Sequence, residues 1–463
     1  MTSTAKCLSP VDGSLYVERP YASEVEISSA LAAARRAQRA WRDVTIAQRA
    51  KYCLAAVEAM LAMREEIPAE LAWQMGRPIR YGASELRGFE ERARYMISIA
   101  EEALAPIDPG PKEGFRRWIA REPMGLVFVI APWNYPFLTA VNSIVPALMA
   151  GNAVILKHAA QTLRVGERFQ KAFDAAGLPK GLFQNLVLSH AQTAKILTGG
   201  LVDQANFTGS VEGGRAIETA AAGRFLGVGL ELGGKDPGYV RADANLNHAI
   251  ETLIDGAFFN SGQSCCGIER IYVDKRVYKD FVEGAVALTK TYVLGSPLEE
   301  ATTLGPLVRP EAAAFVRGQI EEALRSGGRA LIDPKLFARD ALGTPYMAPQ
   351  IVVGVDHQMS LMREESFGPV VGIMPVDGDE QALELMNDSP YGLTAAIFTK
   401  DADAAARLGQ EIETGTVFMN RCDYLDPALA WTGVKDTGRG VTLSRLGYET
   451  LTRPKSFHLR THF

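Results

Sequence analysis

The sequence predicts an α/β protein of two parallel-sheet domains, and three observations predict it. Apolar runs of strand length alternate with amphipathic helical stretches from GLVFVIAP (125–132) onward. That rhythm passes through a glycine-dense crossing, GLELGGKDPGYV, and then repeats. With 463 residues, 47% of them hydrophobic and 22% charged, the chain can bury two or three cores of ordinary size.

From Val25 to about Leu104 the pattern is helical, with apolar residues three and four apart in EVEISSALAAARRAQRAWRD and AQRAKYCLAAVEAMLAMREEIP. Pro106, Pro109 and Pro111 break it, and the short, arginine-rich FRRWIAREP (115–123) reads as a protruding strand. GLVFVIAP and AVILK (153–157) read as buried strands, and VGERFQKAFDAAGLP supplies the helix after the second. FQNLVLS and QANFTGS (204–210) are further strands, the latter followed by a helix at GGRAIETAAAG. Past Gly233–Gly234 come HAIETLIDGAFFN as helix, RIYVD as strand, VYKDFVEGAVALTK as helix, then PQIVVGV, GPVVGIMPV and GTVFMN as strands. The closing strand-like SFHLR is expected to pack on a partner.

A net charge of −5, without blocks of like charge, argues against nucleic acid or an anionic membrane as partner. No apolar run is long enough to span a bilayer; Ile144–Lys157 is interrupted by Pro146, Gly151 and Asn152. The N-terminus lacks a basic-then-apolar signal pattern, and five scattered cysteines suit a reducing compartment, so a cytoplasmic location is expected. Six histidines form no H-E-x-x-H, and no metal site is expected.

The chemistry centres on FFNSGQSCCGIERIY (258–272), where Cys265 and Cys266 stand side by side. Neighbouring Cα atoms are too close for an unstrained disulfide between them. A thiol becomes a nucleophile when its anion is stabilised, and a helix or loop start after the N-S-G-Q turn would offer free N–H groups. The alternative is a buried, inert cysteine. Glu231 in LELGGK is a carboxylate among apolar and glycine residues, where desolvation raises the pKa toward that of a general base; the alternative is a turn cap. Asn134 of APWNYP follows a buried strand, where its amide can donate to a developing oxyanion; otherwise it forms a turn before Tyr135–Pro136.

Taken in order, APWNYP, AGNAVILK, FTGSVEGG, LELGGK, FFNSGQSCC, EESFGPV, NDSPYGL, GTVFMN and GVKDTGRG make the chain resemble the aldehyde dehydrogenase superfamily over its whole length. The resemblance implies two Rossmann-like parallel-sheet domains plus a small β oligomerisation arm. It places an NAD(P)-binding domain at 1–106 and 124–233, a catalytic domain at 234–436, and the arm at 107–123 and 437–463. It implies that Cys265, second after the Gly-Gln, attacks an aldehyde, with Cys266 a wall residue. Asn134 and the Cys265 N–H would hold the oxyanion, and Glu231 would activate the water that hydrolyses the thioester. Branches that acylate coenzyme A commonly lack this glutamate, so Glu231 favours release of a free acid. Coenzyme A acylation and a non-catalytic homologue are the alternatives.

For the cofactor, NAD or NADP, there is no G-x-G-x-x-G after the first strand. By resemblance Lys157 lies near the adenosine ribose, Gly209, Ser210 and Gly214 form the pyrophosphate turn, Trp133 lines the cleft, and Glu365 and Phe367 hold the nicotinamide ribose and ring. NAD-preferring members often carry glutamate three residues after this lysine, and here Ala160 stands there. That loses a repulsion toward a 2′-phosphate and leaves His158 as the only candidate new donor, so use of both coenzymes is expected. The substrate tunnel is expected at Leu138, Asn142, Ser264, Cys266, Asp423, Tyr424 and Leu425. No arginine occupies Asn142 or Ser143, close to where semialdehyde-oxidising relatives place one, though KHAAQT, MREESFGPVVGI and MNDSPYGLTA resemble that branch. Arg421 could offer a cation instead, or serve a surface ion pair, and a broad medium-chain or a semialdehyde specificity is expected. An exposed arm implies a homodimer or homotetramer.

Overall fold

A computed structural model of the chain describes residues 3–462. A hairpin of β1 (Thr4–Leu8) and β2 (Leu15–Pro20), unanticipated from the sequence, precedes the helical region. That region resolves into α1 (Glu24–Trp41), α2 (Ile46–Leu61), α3 (Ile67–Met75) and α4 (Ile79–Ala103). Ser23 and Thr45 start the first two as capping boxes, answered by Glu26 and Gln48. The chain then runs through β3 (Phe115–Pro123) into β4 (Leu126–Ala131), α5 (Pro136–Met149), β5 (Ala153–His158), α6 (Leu163–Ala175), β6 (Phe183–Asn185), α7 (His190–Thr198), β7 (Gln204–Thr208), α8 (Val211–Ala221) and β8 (Gly227–Glu231).

The strands β8-β7-β4-β5-β6 lie parallel in one sheet. Every residue of β4 and β5 is buried, which explains their unbroken apolar sequence. The chain leaves β4 toward β5 on one side and returns to β7 on the other. Such a reversal opens a crevice at the carboxyl ends of the strands.

The second sheet begins immediately after the glycine-dense crossing. It comprises β9 (Asp236–Val240), β10 (Ile268–Asp274), β11 (Arg329–Ala330), β12 (Gln350–Val353), β13 (Val370–Val376), β15 (Thr394–Phe398) and β16 (Thr416–Met419), in the order β11-β12-β13-β10-β9-β15-β16. All pairings are parallel except that of β11. A small bridge of β14 (Tyr391–Gly392) and β17 (Val434–Lys435) lies apart from it. Helices α9 (Leu246–Phe258), α10 (Tyr278–Thr289) and α11 (Pro310–Arg325) pack on this sheet's core. Two Rossmann-like parallel sheets result.

In the C-terminal region β18 (Gly438–Arg439) pairs with Leu230 and Glu231 at the edge of the first sheet. Only β19 (Thr452–Arg460) lies in the protrusion, and its partner is within the chain. It pairs antiparallel with β3 over nine residues, from Thr452 opposite Pro123 to Arg460 opposite Phe115. Trp118 stacks on Phe457 at 4.2 Å and Phe115 on His458 at 4.6 Å, cross-strand aromatic pairs that stiffen the ribbon. Because β3 and β19 are far apart in sequence, their pairing lies beyond the reach of local pattern.

Candidate active site

The carboxyl edge of the first sheet collects most of the polar residues singled out in the sequence. Trp133 and Asn134 follow β4, Lys157 lies near the end of β5, Gly209 and Ser210 follow β7, and Glu231 is the last residue of β8. The Gly209 N–H donates to the Glu231 carbonyl at 3.0 Å, tying neighbouring strand ends together. Ser210 caps α8 by accepting from the Gly213 N–H at 3.1 Å. A side chain at Gly214 would meet Leu232 at 2.6 Å, so this glycine lets α8 lie close on the sheet.

Cys265 and Cys266 occupy a turn between a 3-10 turn (Phe259–Gly262) and β10. Of the two expected settings, a helix start or a loop start, the structure has the loop, so a helix dipole does not act on Cys265. The loop is instead held in an unusual backbone: Asn260, Ser261 and Gly262 are all left-handed, at φ 53, 56 and 71. Gly262 is required, since a Cβ there would lie 2.2 Å from the Gly368 carbonyl oxygen. Gly234 is required from the other side, where a Cβ would lie 2.3 Å from the Cys265 carbonyl oxygen.

Both domains grip this loop. From the second, the Ser261 hydroxyl donates to the Gly305 carbonyl at 2.8 Å and Gln263 accepts from the Val308 N–H at 2.8 Å. From the first, the Asn134 amide donates to the Gln263 carbonyl at 3.3 Å. Arg77 donates to Asn260 Oδ1 at 3.2 Å and to the Asn134 carbonyl at 2.6 Å, and pairs with the buried Glu85. Asn134 therefore reaches the loop that carries Cys265 and is itself braced by a buried arginine.

Cys265, Cys266 and Glu231 line one cavity of about 370 Å³, together with Leu138, Asn142, Asp423, Tyr424, Leu425 and Arg92. Of the expected tunnel residues Ser264 stands behind the wall; its hydroxyl donates to Asp423 Oδ1 at 3.4 Å. Arg421 is exposed and stacks on the Tyr424 ring at 3.6 Å, outside the cavity lining. The Cys266 thiol donates to Asp423 Oδ1 at 2.9 Å, and burial pushes the Asp423 carboxyl up to about 6.

Glu231 accepts from the Thr442 hydroxyl at 2.5 Å and from the Thr208 hydroxyl at 3.1 Å. Burial raises its pKa, and the two hydroxyls and Arg92 act in the opposite direction. A desolvated carboxyl beside a thiol, in a cavity large enough for a small organic molecule, can accept a proton from water.

The remaining predicted residues are not among those lining this cavity. Lys157 is 9% exposed and makes no ion pair among the described residues; burial lowers its pKa. Ala160 is exposed at the start of a short 3-10 turn. His158 does not face that region: its ring is buried, one nitrogen 3.3 Å from the Pro136 carbonyl and the other 3.0 Å from the Thr162 hydroxyl. Burial lowers it to about 4, so it is neutral and withdrawn, which removes it as a phosphate donor. Phe367 meets Trp133 edge-on at 5.7 Å across the interdomain cleft. Glu365 accepts from the Gly234 N–H at 3.1 Å; burial, with Glu269 nearby, pushes it up to about 8.

Several residues of this arrangement were invisible in the sequence. Glu269 accepts from the Ser366 and Phe367 N–H groups at 2.8 and 2.9 Å and from Lys235 Nζ at 2.5 Å, fixing the Glu365–Phe367 loop. Lys235, in the quoted LELGGK, offered the only local hint. Arg77, Glu85, Arg92 and Thr442 carried none.

Two parallel sheets meeting over a thiol, a carboxyl and an asparagine define a two-domain α/β enzyme of the nucleotide-binding type. A sequence model described as "Aldehyde dehydrogenase family" matches residues 1–457. The chain belongs to the aldehyde dehydrogenase family, whose members oxidise aldehydes with NAD⁺ or NADP⁺. It is 31% identical over 458 residues to an NADP(+) succinate-semialdehyde dehydrogenase of Mycobacterium avium, covering 97% of this chain and 95% of the other. It is 32% identical to an NAD(P)+ succinate semialdehyde dehydrogenase of Escherichia coli, covering 95% and 94%. Among solved structures it is similar to an NADP-dependent glyceraldehyde-3-phosphate dehydrogenase of Bacillus halodurans complexed with NADP. That match has TM-score 0.93 and 29% identity, covering 99% of this chain and 96% of the other. A betaine aldehyde dehydrogenase of Staphylococcus aureus in complex with NAD⁺ matches with TM-score 0.93 and 26% identity, covering 99% and 92%.

Proposed function

We propose that this chain oxidises an aldehyde to the free carboxylic acid through a covalent intermediate on Cys265. The observation that carries the reading is that Cys265 and Glu231, from different domains, line one cavity. The Cys265 thiolate adds to the aldehyde carbon, and the carbonyl oxygen takes the negative charge of the thiohemiacetal. Asn134, whose amide already reaches the nucleophile loop, and the Cys265 N–H supply donors to that oxygen. NAD⁺ or NADP⁺, when bound, supplies the acceptor for the hydride lost as the thiohemiacetal becomes a thioester. Glu231 then takes a proton from water, which adds to the thioester carbon and expels the Cys265 thiolate.

The residues present fit such a cofactor. Lys157 is a buried ammonium without a carboxylate partner among the described residues, placed at the sheet's carboxyl edge. Gly209 and Ser210 lead into the N-terminus of α8, a donor-rich end suited to phosphate. Glu365 and Phe367 would hold the ribose and ring. Ala160 leaves room for either coenzyme. The arm at β3 and β19, a two-stranded ribbon of marginal stability by itself, would pair with a second copy in a dimer or tetramer.

The experiment is coenzyme reduction followed by absorbance over a panel of short aldehydes, with product analysis. Cys265→Ala is expected to abolish turnover, and Glu231→Gln to release one equivalent of reduced coenzyme and then stall. A fully active Cys265→Ala removes the mechanism. Acyl-coenzyme A as product, when coenzyme A is added, would show that the thiol outcompetes water.

A further inference from the structure

Two thiols stand side by side in the cavity, and the proposed reaction uses one of them. The turn that carries them is closed by the Gly267 N–H donating to the Ser264 carbonyl at 3.1 Å, with Cys265 and Cys266 at its two corners. The side chains of Ser264 and Cys266 converge: Ser264 Oγ lies 3.6 Å from Cys266 Sγ. One carboxylate oxygen holds both. Asp423 Oδ1 accepts from the Cys266 thiol at 2.9 Å and from the Ser264 hydroxyl at 3.4 Å. The residues immediately before and after Cys265 are therefore tied to a single atom from a remote part of the chain.

Asp423 is delivered by the loop that follows β16, and that loop is built to hold it still. Asn420 and Asp423 both take left-handed backbones, at φ 54 and 50, which residues other than glycine adopt against their preference. The Asn420 side chain bonds both backbone groups of Thr399, at 3.0 and 2.8 Å, and its carbonyl oxygen lies 2.8 Å from His248 Nε2. The Cys422 thiol donates to the Thr252 carbonyl at 3.3 Å. It sits where Gly256 leaves room, since a Cβ there would lie 2.5 Å from the Cys422 sulfur. On the other side of Asp423, the Tyr424 hydroxyl donates to Glu91 of the first domain at 2.7 Å. The Asp423 carboxyl makes no ion pair among the described residues; its contacts are a thiol and a hydroxyl. Burial disfavours its charge, so a carboxyl in this place weakens the fold unless something else is gained. What is gained lies in the turn that it grips.

We propose that Asp423 is a positioning residue for Cys265: by holding Ser264 and Cys266 on one oxygen it fixes the turn so that the sulfur between them faces the substrate, and it keeps Cys266 tethered as an unreactive thiol. This rests on the function proposed above. A turn pinned by the side chains at its first and third positions cannot reorient its second residue without breaking one of the two bonds. The attacking sulfur has to stand about 3–3.5 Å from the aldehyde carbon, and a drift of about 1 Å costs about 100-fold in rate. The same tether tells the twin thiols apart. A thiol that donates its hydrogen to a carboxylate is held in the protonated form, whereas attack requires the thiolate. Cys266 is also 4% exposed, and Cys265 is the more open of the two.

The test reads the thiols directly, by the rate of iodoacetamide alkylation at each cysteine followed by peptide mass spectrometry, beside kcat and KM for short aldehydes. In the wild type Cys265 is expected to be alkylated and Cys266 spared. Asp423→Asn loses the charge, but its amide oxygen can still accept both bonds; Asp423→Ala loses both charge and tether. Comparing these two variants isolates the tether. Cys265 of Asp423→Ala should be alkylated about 10-fold or more slowly than that of Asp423→Asn, with kcat lower to match and KM changed by less than about threefold. Cys266 should become reactive in Asp423→Ala alone. Circular dichroism melts report folding. If Asp423→Ala does not fold, the double variant Ser264→Ala/Cys266→Ala frees the turn from its own side and should show the same slow alkylation of Cys265. Equal Cys265 rates in Asp423→Ala and Asp423→Asn overturn the proposal, as does a wild-type rate in the double variant. If the wild type oxidises no aldehyde, the reaction itself is wrong, and the alkylation rates still decide the tether.

Discussion

The Thr442 hydroxyl donates to Glu231 Oε1 at 2.5 Å, so a residue from beyond the second domain orients the carboxyl that shares a cavity with Cys265. This contact stabilises the ionised form of a group that burial pushes toward neutrality. Thr442→Val should therefore raise the Glu231 pKa further and move the acid-side limb of the kcat–pH profile to higher pH. The check is kcat against pH under conditions where thioester hydrolysis limits the rate. An unmoved limb would detach Glu231 from water activation.

Glu365 should leave a signature in stability. Burial pushes its carboxyl from about 4.5 in the unfolded chain to about 8 in the fold. The native state then binds the extra proton between those values, and stability falls as pH rises through that window. Below about pH 4.5 both states are protonated and the group contributes nothing to the slope. Glu365→Gln removes the titration, so the variant should gain on the wild type by about 2–4 kcal/mol between pH 5 and 8, levelling off above. Denaturant unfolding of both proteins across that range, without coenzyme, measures the difference. Parallel curves would show that the carboxyl is solvated.

Arg77 is the brace of the loop that carries Cys265. Replacing it with methionine leaves the buried Glu85 without its partner and frees Asn134 and Asn260. Breaking a buried pair in this way costs about 3–5 kcal/mol. Arg77→Met should unfold at clearly lower denaturant and turn over more slowly even when folded, because the Asn134 amide loses its support. Wild-type stability in this variant would mean that the pair is solvated.

Coenzyme choice is tested at Ala160. Its side chain is exposed at the start of the turn after β5, with neutral His158 turned inward behind it. Ala160→Glu should weaken NADP⁺ at least tenfold more than NAD⁺, since only the former brings a 2′-phosphate against the new carboxylate. Equal effects on the two KM values would place the ribose elsewhere.

How far the sequence could be read follows from which features are local. Buried parallel strands announce themselves as apolar runs, so β4, β5 and β10 were legible with their connecting helices, whereas β9, DPGYV, lay unread in the glycine-dense crossing. Cys265, Glu231 and Asn134 were legible because each sits in a short motif of distinctive composition. Arg92 was not: in LRGFEERARYM it is one of several charges on an amphipathic helix, and nothing local says that it faces inward. Thr442 was hidden for the same reason, as its contact with Glu231 spans the chain. The choice between a helix and a loop at Cys265 stayed open because the left-handed run of Asn260, Ser261 and Gly262 looks, in one dimension, like any helix-breaking turn.

The clamping of that run has a consequence for motion. The loop is a keystone: Asn134 and Arg77 hold it from one side, Gly305, Val308 and Gly368 from the other. The two halves of the molecule cannot spread without dislodging the sulfur itself. Any opening between the domains would therefore tug on the seat of the sulfur, so a fixed gap between them suits a site whose thiol must keep its place.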